Sequence, residues 1–450
     1  MIYYLGEINL KHPDLKIIPE EWKLTQIDKL FSIQQGKQVS QKNRIGNNQF
    51  PFLRTKNIFW GKIDLSELDN MNFSEQEIQK LNLSFNDLLV CEGGDVGRTA
   101  IWKNQKENCF YQNHLHRLRV IGQKEVEPHF VLYWFWYAFQ IGKIYFGRSN
   151  VTTIPNLSKS RLGELPLPLP PLPEQKKIAY ILSTVQRAIE EQERLIQVTT
   201  ELKKALMHKL FTEGTRGEPQ KETEIGLVPE SWEVVPLGKY AKILNGFAFK
   251  SKDYNSSGIR LIRISNVSHG FLVDKDDKYL PYSYIDKYSE YALHKGDLII
   301  SLTRPIIKDG MKYCYIRDNH LPALLNQRVG KIEVINDRLL KNYLYHIIFS
   351  PYFIEPLKVM AEGSNQPNVS PTRIEKFLIP IPSNIDEQKE IALLLTLLTD
   401  KIEQAKMKIL NFNNLFRTLL HQLMTAQLRV HEIDFELLTS IERDLENAGS

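Results

Sequence analysis

Several segments of this sequence resemble catalytic motifs. A phosphate-binding loop ends in Gly-Lys followed by Ser or Thr, and none of the Gly-Lys pairs of this chain has Ser or Thr in the next position. An adenine methyltransferase motif needs Asp or Asn, two prolines and an aromatic residue. The Pro170-Pro171 pair has leucine on both sides. The sequence therefore predicts neither a nucleotide-driven motor nor a methyltransferase.

Three weaker patterns have simpler structural interpretations. The segment from Pro13 to Lys23 can be aligned with a nuclease PD…ExK motif, but such short matches arise by chance. The glycines of EGGDVGR, at 92–98, fit no cofactor loop and predict a tight turn after a strand. His114 and His116 have no acidic or Cys partner nearby in sequence, so they favour a polar or DNA-facing strand over a metal site.

Side chains that read DNA bases occur in clusters. Arg pairs with guanine, Asn or Gln with adenine, and Lys or Thr with phosphate and sugar. The first half of the chain carries Arg54, Lys56, Asn57, Arg98, Thr99, Asn113, His114, Arg117, Asn150, Thr152, Thr153 and Asn156. The second half carries Arg263, Asn266, Arg304, Lys308, Asn326, Gln327, Arg328, Asn365, Gln366 and Asn368. The clusters predict DNA binding, although a solvated loop or a turn-capping Asn fits any single member equally well.

The composition says more about the cellular compartment of the protein than about its function. The 450 residues carry a net charge of +5, which is compatible with a basic face but too small for a histone-like tail. The three cysteines are far apart and form no C-x-x-C pair. The apolar run from Phe130 to Ile141 is shorter than the roughly 20 residues of a spanning helix. We expect a cytoplasmic protein in a reducing environment, with no metal site and no membrane contact.

The chain is a tandem repeat. Pro19, Glu20 and Trp22 recur as Pro229, Glu230 and Trp232, a shift of 210 residues. The same comparison pairs Gly36 with Gly246, Arg54 with Arg263, Asn57 with Asn266, Asp87 with Asp297, and Asn113 with Asn326. Each copy mixes short β-branched and aromatic runs with Gly, Asn, Asp and Ser turns, and a proline cluster then precedes a helical segment. The sequence predicts two copies of one mixed α/β domain, each followed by a helix.

Both helical segments have the seven-residue period of a coiled coil. The seam of the second copy consists of Ile391, Leu395, Leu398, Ile402, Ala405, Ile409, Phe412, Phe416, Leu419 and Leu423. The first copy has Ile178, Leu182, Val185, Ile189, Ile196, Leu206 and Leu210 at the matching positions, with polar Gln192, Thr199 and Lys203 between them. Because Leu195, Val198 and Leu202 lie beside the polar positions, we predict that the apolar stripe shifts there by a stutter.

Two repeats that pair through equivalent helices are expected to be related by an approximate two-fold axis, which makes the helices antiparallel. At about 1.5 Å per residue, a helix of roughly 39 residues is about 58 Å long. One turn of B-DNA is about 34 to 36 Å long. Domains held along such a rod suit a DNA site made of two separated halves.

The doubled plan resembles the specificity subunit of a type I restriction-modification system. The similarity includes GTRGEPQKETEIGLVPESWEV at 214–234, KGDLIIS at 295–301, and the proline-rich lead into EQKKIA and EQKEIA. It covers nearly the whole chain. It implies an α+β fold in which two similar mixed α/β target recognition domains are joined by two long antiparallel coiled-coil helices. The recognition role falls on the base-reading clusters and the spacer role on the seam positions.

The resemblance also implies partners. They are double-stranded DNA, two modification subunits that methylate adenine with S-adenosylmethionine, and restriction subunits that translocate and cut DNA. This chain is expected to carry no cofactor and no catalytic residue of its own. The segments 92–102 and 301–313 differ strongly between the copies, which implies unlike half-sites and an asymmetric target.

We expect five parts: an N-terminal recognition domain at 1–172, a central spacer helix at 173–213, a C-terminal recognition domain at 214–385, a distal spacer helix at 386–426 and a helical tail at 427–450. Two other classes of function stay open at this point. One is a self-sufficient enzyme that modifies or cleaves DNA, and the other is a coiled-coil scaffold that does not read sequence.

Overall fold

The computed structural model describes residues 18–145, 156–274, 276–307, 310–361 and 368–430. The chain divides into two compact units. Unit 1 comprises residues 1–193 and 406–450, and unit 2 comprises residues 194–405. Each unit contains one mixed α/β domain and part of each of two long helices, so the predicted α+β fold with an internal tandem repeat is confirmed.

Unit 1 has a strand-rich domain with short helices. Its strands are β1 (Lys23–Gln26), β2 (Phe31–Gln35), β3 (Gln49–Leu53), β4 (Ile58–Phe59), β5 (Lys62–Ile63), β6 (Asp69–Asn72), β7 (Leu88–Cys91), β8 (Thr99–Ile101), β9 (Phe110–Tyr111), β10 (Leu115–Val120) and β11 (Pro166–Leu169). Its helices are α1 (Glu75–Leu81), α2 (Pro128–Trp136), α3 (Lys159–Glu164) and the first part of α4 (Leu172–Glu213).

Unit 2 repeats this arrangement. Its strands are β12 (Gln220–Thr223), β13 (Gly226–Pro229), β14 (Glu233–Pro236), β15 (Ala241–Asn245), β16 (Ile259–Ile262), β17 (His269–Gly270), β18 (Tyr279–Leu280), β19 (Leu298–Ser301), β20 (Ile306–Ile307), β21 (Gly310–Met311), β22 (Tyr313–Tyr315), β23 (Ala323–Leu325), β24 (Val329–Val334) and β25 (Leu378–Ile381). Its helices are α5 (Tyr284–Lys287), α6 (Lys341–Ile347), α7 (Pro351–Ala361), α8 (Pro371–Ile374) and the first part of α9 (Ile385–Met424), which continues into unit 1.

The central sheet of each unit is covered on both faces. In unit 1 the strand order is β2-β10-β7-β8, and in unit 2 it is β15-β24-β19-β22-β17. Side chains alternate along a strand, so Leu88 and Val90 of β7 face one core while Leu89 and Cys91 face another. Strand β19 divides its side chains in the same way. Burial on both faces explains why β7 and β19 read as continuous apolar runs.

A buried hydrogen bond joins the entry of each domain to its helix. The indole Nε1 of Trp22 donates to Oε2 of Glu174 at 3.1 Å, and Trp232 donates to Oε2 of Glu387 at the same distance. Both carboxylates lie at the start of a long helix, where the helix dipole favours negative charge. Trp22 and Glu174 therefore recur as Trp232 and Glu387 because each pair forms the same buried hydrogen bond.

The glutamine that follows each of these carboxylates fixes a neighbouring segment. Gln175 accepts from the Glu127 backbone N–H at 2.8 Å and donates to the Pro170 carbonyl at 2.8 Å. Gln388 accepts from the Leu340 backbone N–H at 3.0 Å and donates to the Pro382 carbonyl at 3.2 Å. Because these glutamines satisfy buried backbone groups, the repeated Glu-Gln pair belongs to the packing of domain on helix.

Helices α4 and α9 pack antiparallel. In unit 1, Leu182 near the start of α4 shares a core with Leu420 near the end of α9. In unit 2, Leu210 near the end of α4 shares a core with Leu395 near the start of α9.

Gly214 ends α4 with a φ of +66°, and a Cβ there would lie 2.6 Å from Oε1 of Glu387. Only glycine fits this position without rearrangement.

The predicted stutter in α4 is wrong. Thr199 is buried and Lys203 is half-buried, whereas Val198 and Leu202 are each 53% exposed. The seam keeps its register because Lys203 extends its chain and donates through Nζ to Oγ1 of Thr399 at 2.7 Å. The remaining seam positions of both helices are buried or half-buried, as the heptad pattern predicts.

The two domains meet the helix pair through different chemistry. In unit 1 the ring of Phe416 lies 4.8 Å from that of Trp136, which in turn stacks on Trp60 from the β4-β5 hairpin at 5.6 Å. Lys203 occupies the position of Phe416 in the repeat. In unit 2 the contact between the domain and the helices is polar. His346 of α6 hydrogen-bonds Oγ1 of Thr396 on α9 at 2.9 Å.

Candidate nucleic-acid interface

The strand registers of unit 1 bring three loops to one edge of the central sheet. Gln35, the last residue of β2, lies opposite His116 of β10, and Cys91, the last residue of β7, lies opposite Leu115. The loops that follow β2 and β7 and the turn that precedes β10 therefore leave the sheet together. We call this edge the loop edge of unit 1.

Unit 2 has the same loop edge. Asn245 at the end of β15 lies opposite Gly330, and Ser301 at the end of β19 lies opposite Val329. The loops after β15 and β19 and the turn before β24 are again neighbours. Loops on a rigid sheet are the usual location of binding residues, so each loop edge is a candidate interface.

Equivalent turns stand at the two edges: turn 1 at residues 112–114 and turn 2 at residues 326–328. Asn113 N–H donates to the Lys37 carbonyl at 2.8 Å, and Gln327 N–H donates to the Phe247 carbonyl at 3.0 Å. These bonds make Asn113 equivalent to Gln327, so the sequence pairing of Asn113 with Asn326 is wrong by one residue. The last residues of the turns, His114 and Arg328, are equivalent and exposed.

The loop edge of unit 2 is rich in cations. Arg304 and Arg328 are exposed, and no carboxylate of the described residues lies within ion-pair distance of either side chain. Lys312 is half-buried near Arg304. Its burial and the neighbouring Arg304 lower the pKa of Lys312 from its ordinary value. A bound anion would offset this repulsion, and a DNA phosphate is such an anion.

Comparison with known proteins identifies the family. The sequence profile of the type I restriction modification DNA specificity domain matches residues 19–200 and 229–411. The chain belongs to this specificity family. The specificity subunit of the type I restriction enzyme MjaVIII of Methanocaldococcus jannaschii is 28% identical over 439 residues, which cover 97% of this chain and 99% of that relative. A putative MjaX specificity subunit of the same organism is 27% identical over 443 residues, covering 96% and 99%.

A solved structure supports the fold. The S subunit of a type I restriction-modification system from M. genitalium superposes with a TM-score of 0.60 at 18% sequence identity, covering 90% of this chain and 96% of that chain. The two profile matches coincide with the two repeats. The chain therefore carries the specificity domain twice.

Two asparagines predicted to read bases are structural instead. Oδ1 of Asn57 accepts from the Arg54 backbone N–H at 2.9 Å, and its amide donates to the Glu67 carbonyl at 2.9 Å. Oδ1 of Asn266 accepts from the Arg263 backbone N–H at 3.1 Å in the same way. Both side chains are buried, so we remove Asn57 and Asn266 from the proposed DNA contacts. Their recurrence reflects a shared loop cap.

Several predicted arginines are tied within their own domain. Arg54 pairs with Asp69 at 2.8 Å, and Arg263 pairs with Asp276 at 2.9 Å. Arg98 donates to the Thr55 carbonyl at 2.7 Å and Arg117 to the Asn82 carbonyl at 2.6 Å. Thr99 is fully buried and bonds the Gly97 carbonyl at 2.7 Å, so it too is removed from the proposed contacts.

The remaining predicted residues fall into two groups. Lys56, Asn156, Gln327 and Asn368 are exposed, while Asn113 and Asn326 are half-buried at the loop edges. Oδ1 of Asn368 accepts from Oγ1 of Thr303 at 2.5 Å, which holds it beside the loop edge of unit 2. Asn150, Thr152, Thr153, Lys308, Asn365 and Gln366 lie outside the described residues.

Sequence reasoning missed two features at the loop edge of unit 1. Glu92 is 93% buried, yet it lies 3.5 Å from Nδ1 of exposed His114 and accepts from Gln35 at 3.3 Å. The base-reading clusters were predicted from cationic and amide side chains alone, although carboxylates also read bases by accepting a hydrogen bond from cytosine. The loop after β2 also exposes Lys42, and its QKNRIGNN composition, at 41–48, was a readable signal.

Other reactive chemistry is absent from the described part of the chain. Burial raises the pKa of Cys91 and Cys314 to about 11 and that of Cys109 to about 12, so these thiols stay protonated. Burial lowers the pKa of His116, whose Nε2 lies 2.9 Å from the Leu157 carbonyl. Within the described ranges, no His, Cys, Asp and Glu group is arranged to hold a metal, and no helix has the length and apolarity of a membrane span.

Proposed function

We propose that this chain is the DNA sequence-specificity subunit of a type I restriction-modification complex, with each unit reading one half of a bipartite target. One observation carries the proposal: the chain has two equivalent loop edges on two copies of the specificity domain. A single chain with two equivalent reading surfaces suits a target of two halves. The subunit itself catalyses nothing.

We propose further that the two halves of the target differ. Equivalent positions carry different side chains, with Asn113 and His114 on turn 1 and Gln327 and Arg328 on turn 2. Asn113 and Gln327 both match adenine, whereas His114 and Arg328 differ, because only the arginine can pair with both acceptors of guanine. The target is therefore asymmetric. Exposed Arg304 of unit 2 contacts a phosphate and contributes to the salt dependence of binding.

The expected partners are inferred from the family and from exposed apolar side chains on the long helices. Two modification subunits bring S-adenosylmethionine and methylate adenine, and restriction subunits join them in the cytoplasm. Apolar side chains on α9 that face away from the seam, Leu393 and Leu397, are 60% and 57% exposed, and Leu202 of α4 is 53% exposed. Exposed apolar surface of this kind marks protein interfaces. We assign it to the modification subunits, and the helix pair sets the spacing between the half-sites.

Reconstitution tests the proposal. The purified chain, incubated with DNA and S-adenosylmethionine, should transfer no methyl groups, and the same mixture with modification subunits should methylate one bipartite sequence. Methylome sequencing of cells with and without this chain should show that sequence appear and disappear. Methylation by the chain alone, or an unchanged methylome, would overturn the proposal.

Domain exchange tests the independence of the two units. Replacing residues 24–165 with the equivalent segment of another family member should change only the first half-site. The second half-site and the spacing should persist, because unit 2 and the helices are unaltered. A change in both halves would contradict independent reading.

A further inference from the structure

The backbone holds turn 1 and turn 2 in the same way. Leu115 N–H donates to the Gln112 carbonyl at 3.0 Å, and Val329 N–H donates to the Asn326 carbonyl at 2.9 Å. Each turn thus closes on itself. Together with the bonds to Lys37 and Phe247, this places the two turns identically on their central sheets.

A glycine lies directly beneath each turn. A Cβ on Gly36 would collide with the carbonyl oxygens of Tyr111 and Gln112, and a Cβ on Gly246 would collide with the carbonyl of Leu325 and the backbone of Asn326. These glycines recur in the sequence because the turn backbone approaches too closely for any side chain. The position of each turn is therefore fixed by the scaffold, as base reading requires.

The equivalent side chains at the ends of the turns differ in their surroundings. His114, with 59% of its side chain exposed, has the carboxylate of Glu92 at 3.5 Å. Leu302 occupies the position of Glu92 in unit 2, because Leu157 N–H bonds the Glu92 carbonyl at 2.9 Å and Val369 N–H bonds the Leu302 carbonyl at 2.8 Å. Leucine cannot pair with Arg328, and among the described residues no carboxylate lies within ion-pair distance of its guanidinium.

We infer that turn 1 and turn 2 read the same numbered position of their respective half-sites, through His114 and Arg328. Arg328 selects guanine, since a guanidinium donates two parallel hydrogen bonds to guanine O6 and N7. Glu92 is a positioning residue that orients the ring of His114. This inference rests on the proposed function and adds to it the reading element and the residue pair.

The experiment uses the full chain with its modification subunits and a DNA library randomised in both half-sites. Arg328→Ala should reduce the preference for guanine at one position of the second half-site by about tenfold to hundredfold. The first half-site should be unchanged. His114→Ala should relax the position of the first half-site that has the same number, counted from the gap, and Glu92→Gln should weaken the preference at that position.

Arg317→Ala is the matched control, because Arg317 is an exposed arginine of the same unit that follows β22, at the sheet edge opposite the loop edge. It should leave every base preference unchanged. Gly246→Ala should broaden the second half-site and spare the first. If that variant unfolds, the surface variants Arg328→Ala and His114→Ala decide the question.

Three results would overturn the inference: full retention of base preference by Arg328→Ala, a uniform loss on all sequences, or relaxation at differently numbered positions in the two half-sites. Failure of the proposed function looks different. In that case the wild-type chain itself would direct no sequence-specific methylation.

Discussion

The carboxylate of Glu174 receives the indole N–H of Trp22 at 3.1 Å and the guanidinium of Arg429 at 2.8 Å. Trp22 immediately precedes β1, whereas Arg429 follows the end of α9. Three segments of unit 1 that are distant in sequence therefore converge on one buried side chain. In unit 2, Glu387 receives the Thr215 backbone N–H at 2.7 Å, just after α4 ends.

Removing Arg429 should destabilise the protein because it leaves a buried carboxylate with fewer partners. We expect Arg429→Ala to lower the free energy of unfolding by about 2 kcal/mol. Arg216→Ala is the matched control, since Arg216 pairs at 3.0 Å with Glu390 on the exposed surface. Its cost should stay below about 0.5 kcal/mol. Urea denaturation followed by circular dichroism measures both, and equal losses would contradict the role of Glu174.

A charge in the seam should separate the helices. Ile402 is a half-buried seam residue of α9, and Ile402→Asp should lower the free energy of unfolding by about 2 to 4 kcal/mol, because the carboxylate loses solvation without gaining a partner. Lys401→Glu changes an exposed neighbour and should be mild. Thermal unfolding followed by circular dichroism compares them. A wild-type melting curve for the Asp variant would refute the seam assignment.

A charge on the apolar face of α9 outside the seam should affect assembly and not stability. Leu397 is 57% exposed, so Leu397→Lys should leave thermal unfolding nearly unchanged. It should weaken co-purification with the modification subunits, because it puts a charge into the proposed interface. Gln404→Lys is the matched control, because it adds the same charge to an exposed position of the same helix without removing apolar surface. Full assembly by the Leu397 variant would show that the partners bind elsewhere.

Acid should weaken unit 2 through His346. Burial, with Lys203 nearby, lowers the pKa of His346 from its ordinary 6.5 to about 3 in the folded chain. The unfolded chain therefore binds the proton first, and stability present above pH 6.5 is lost as pH falls toward 3. Between about pH 7.5 and pH 5.5 this costs about 1.4 kcal/mol.

His346→Gln should remove that part of the pH dependence, since an amide can bond Thr396 and does not titrate in this range. Urea denaturation at a series of pH values measures the slope. An unaltered slope in the His346 variant would show that this histidine is not linked to acid unfolding.

The sequence predicted the architecture well because repeat spacing and heptads report directly on burial. It failed where two chemical roles share one residue type. Asn57 recurs as Asn266, and recurrence alone cannot separate a loop cap from a base contact, whereas the bond to the Arg54 backbone does. The sequence also predicted a stutter near Lys203, which is wrong. The polarity of a lysine does not show that its long side chain can extend from the seam to bond Thr399. Glu92 escaped notice because its proximity to His114 arises only when β7 and β10 pair.

Phe416 and Lys203 occupy equivalent seam positions, and this limits what gene duplication alone can achieve. A chain made by duplicating the first half would carry lysine where Phe416 now touches Trp136, and the aromatic contact that continues to Trp60 would be lost. A chain made from two second halves would set phenylalanine where Lys203 now bonds Thr399. Each half has therefore diverged to fit the other, and inheritance of the two as one gene keeps the matched pair together.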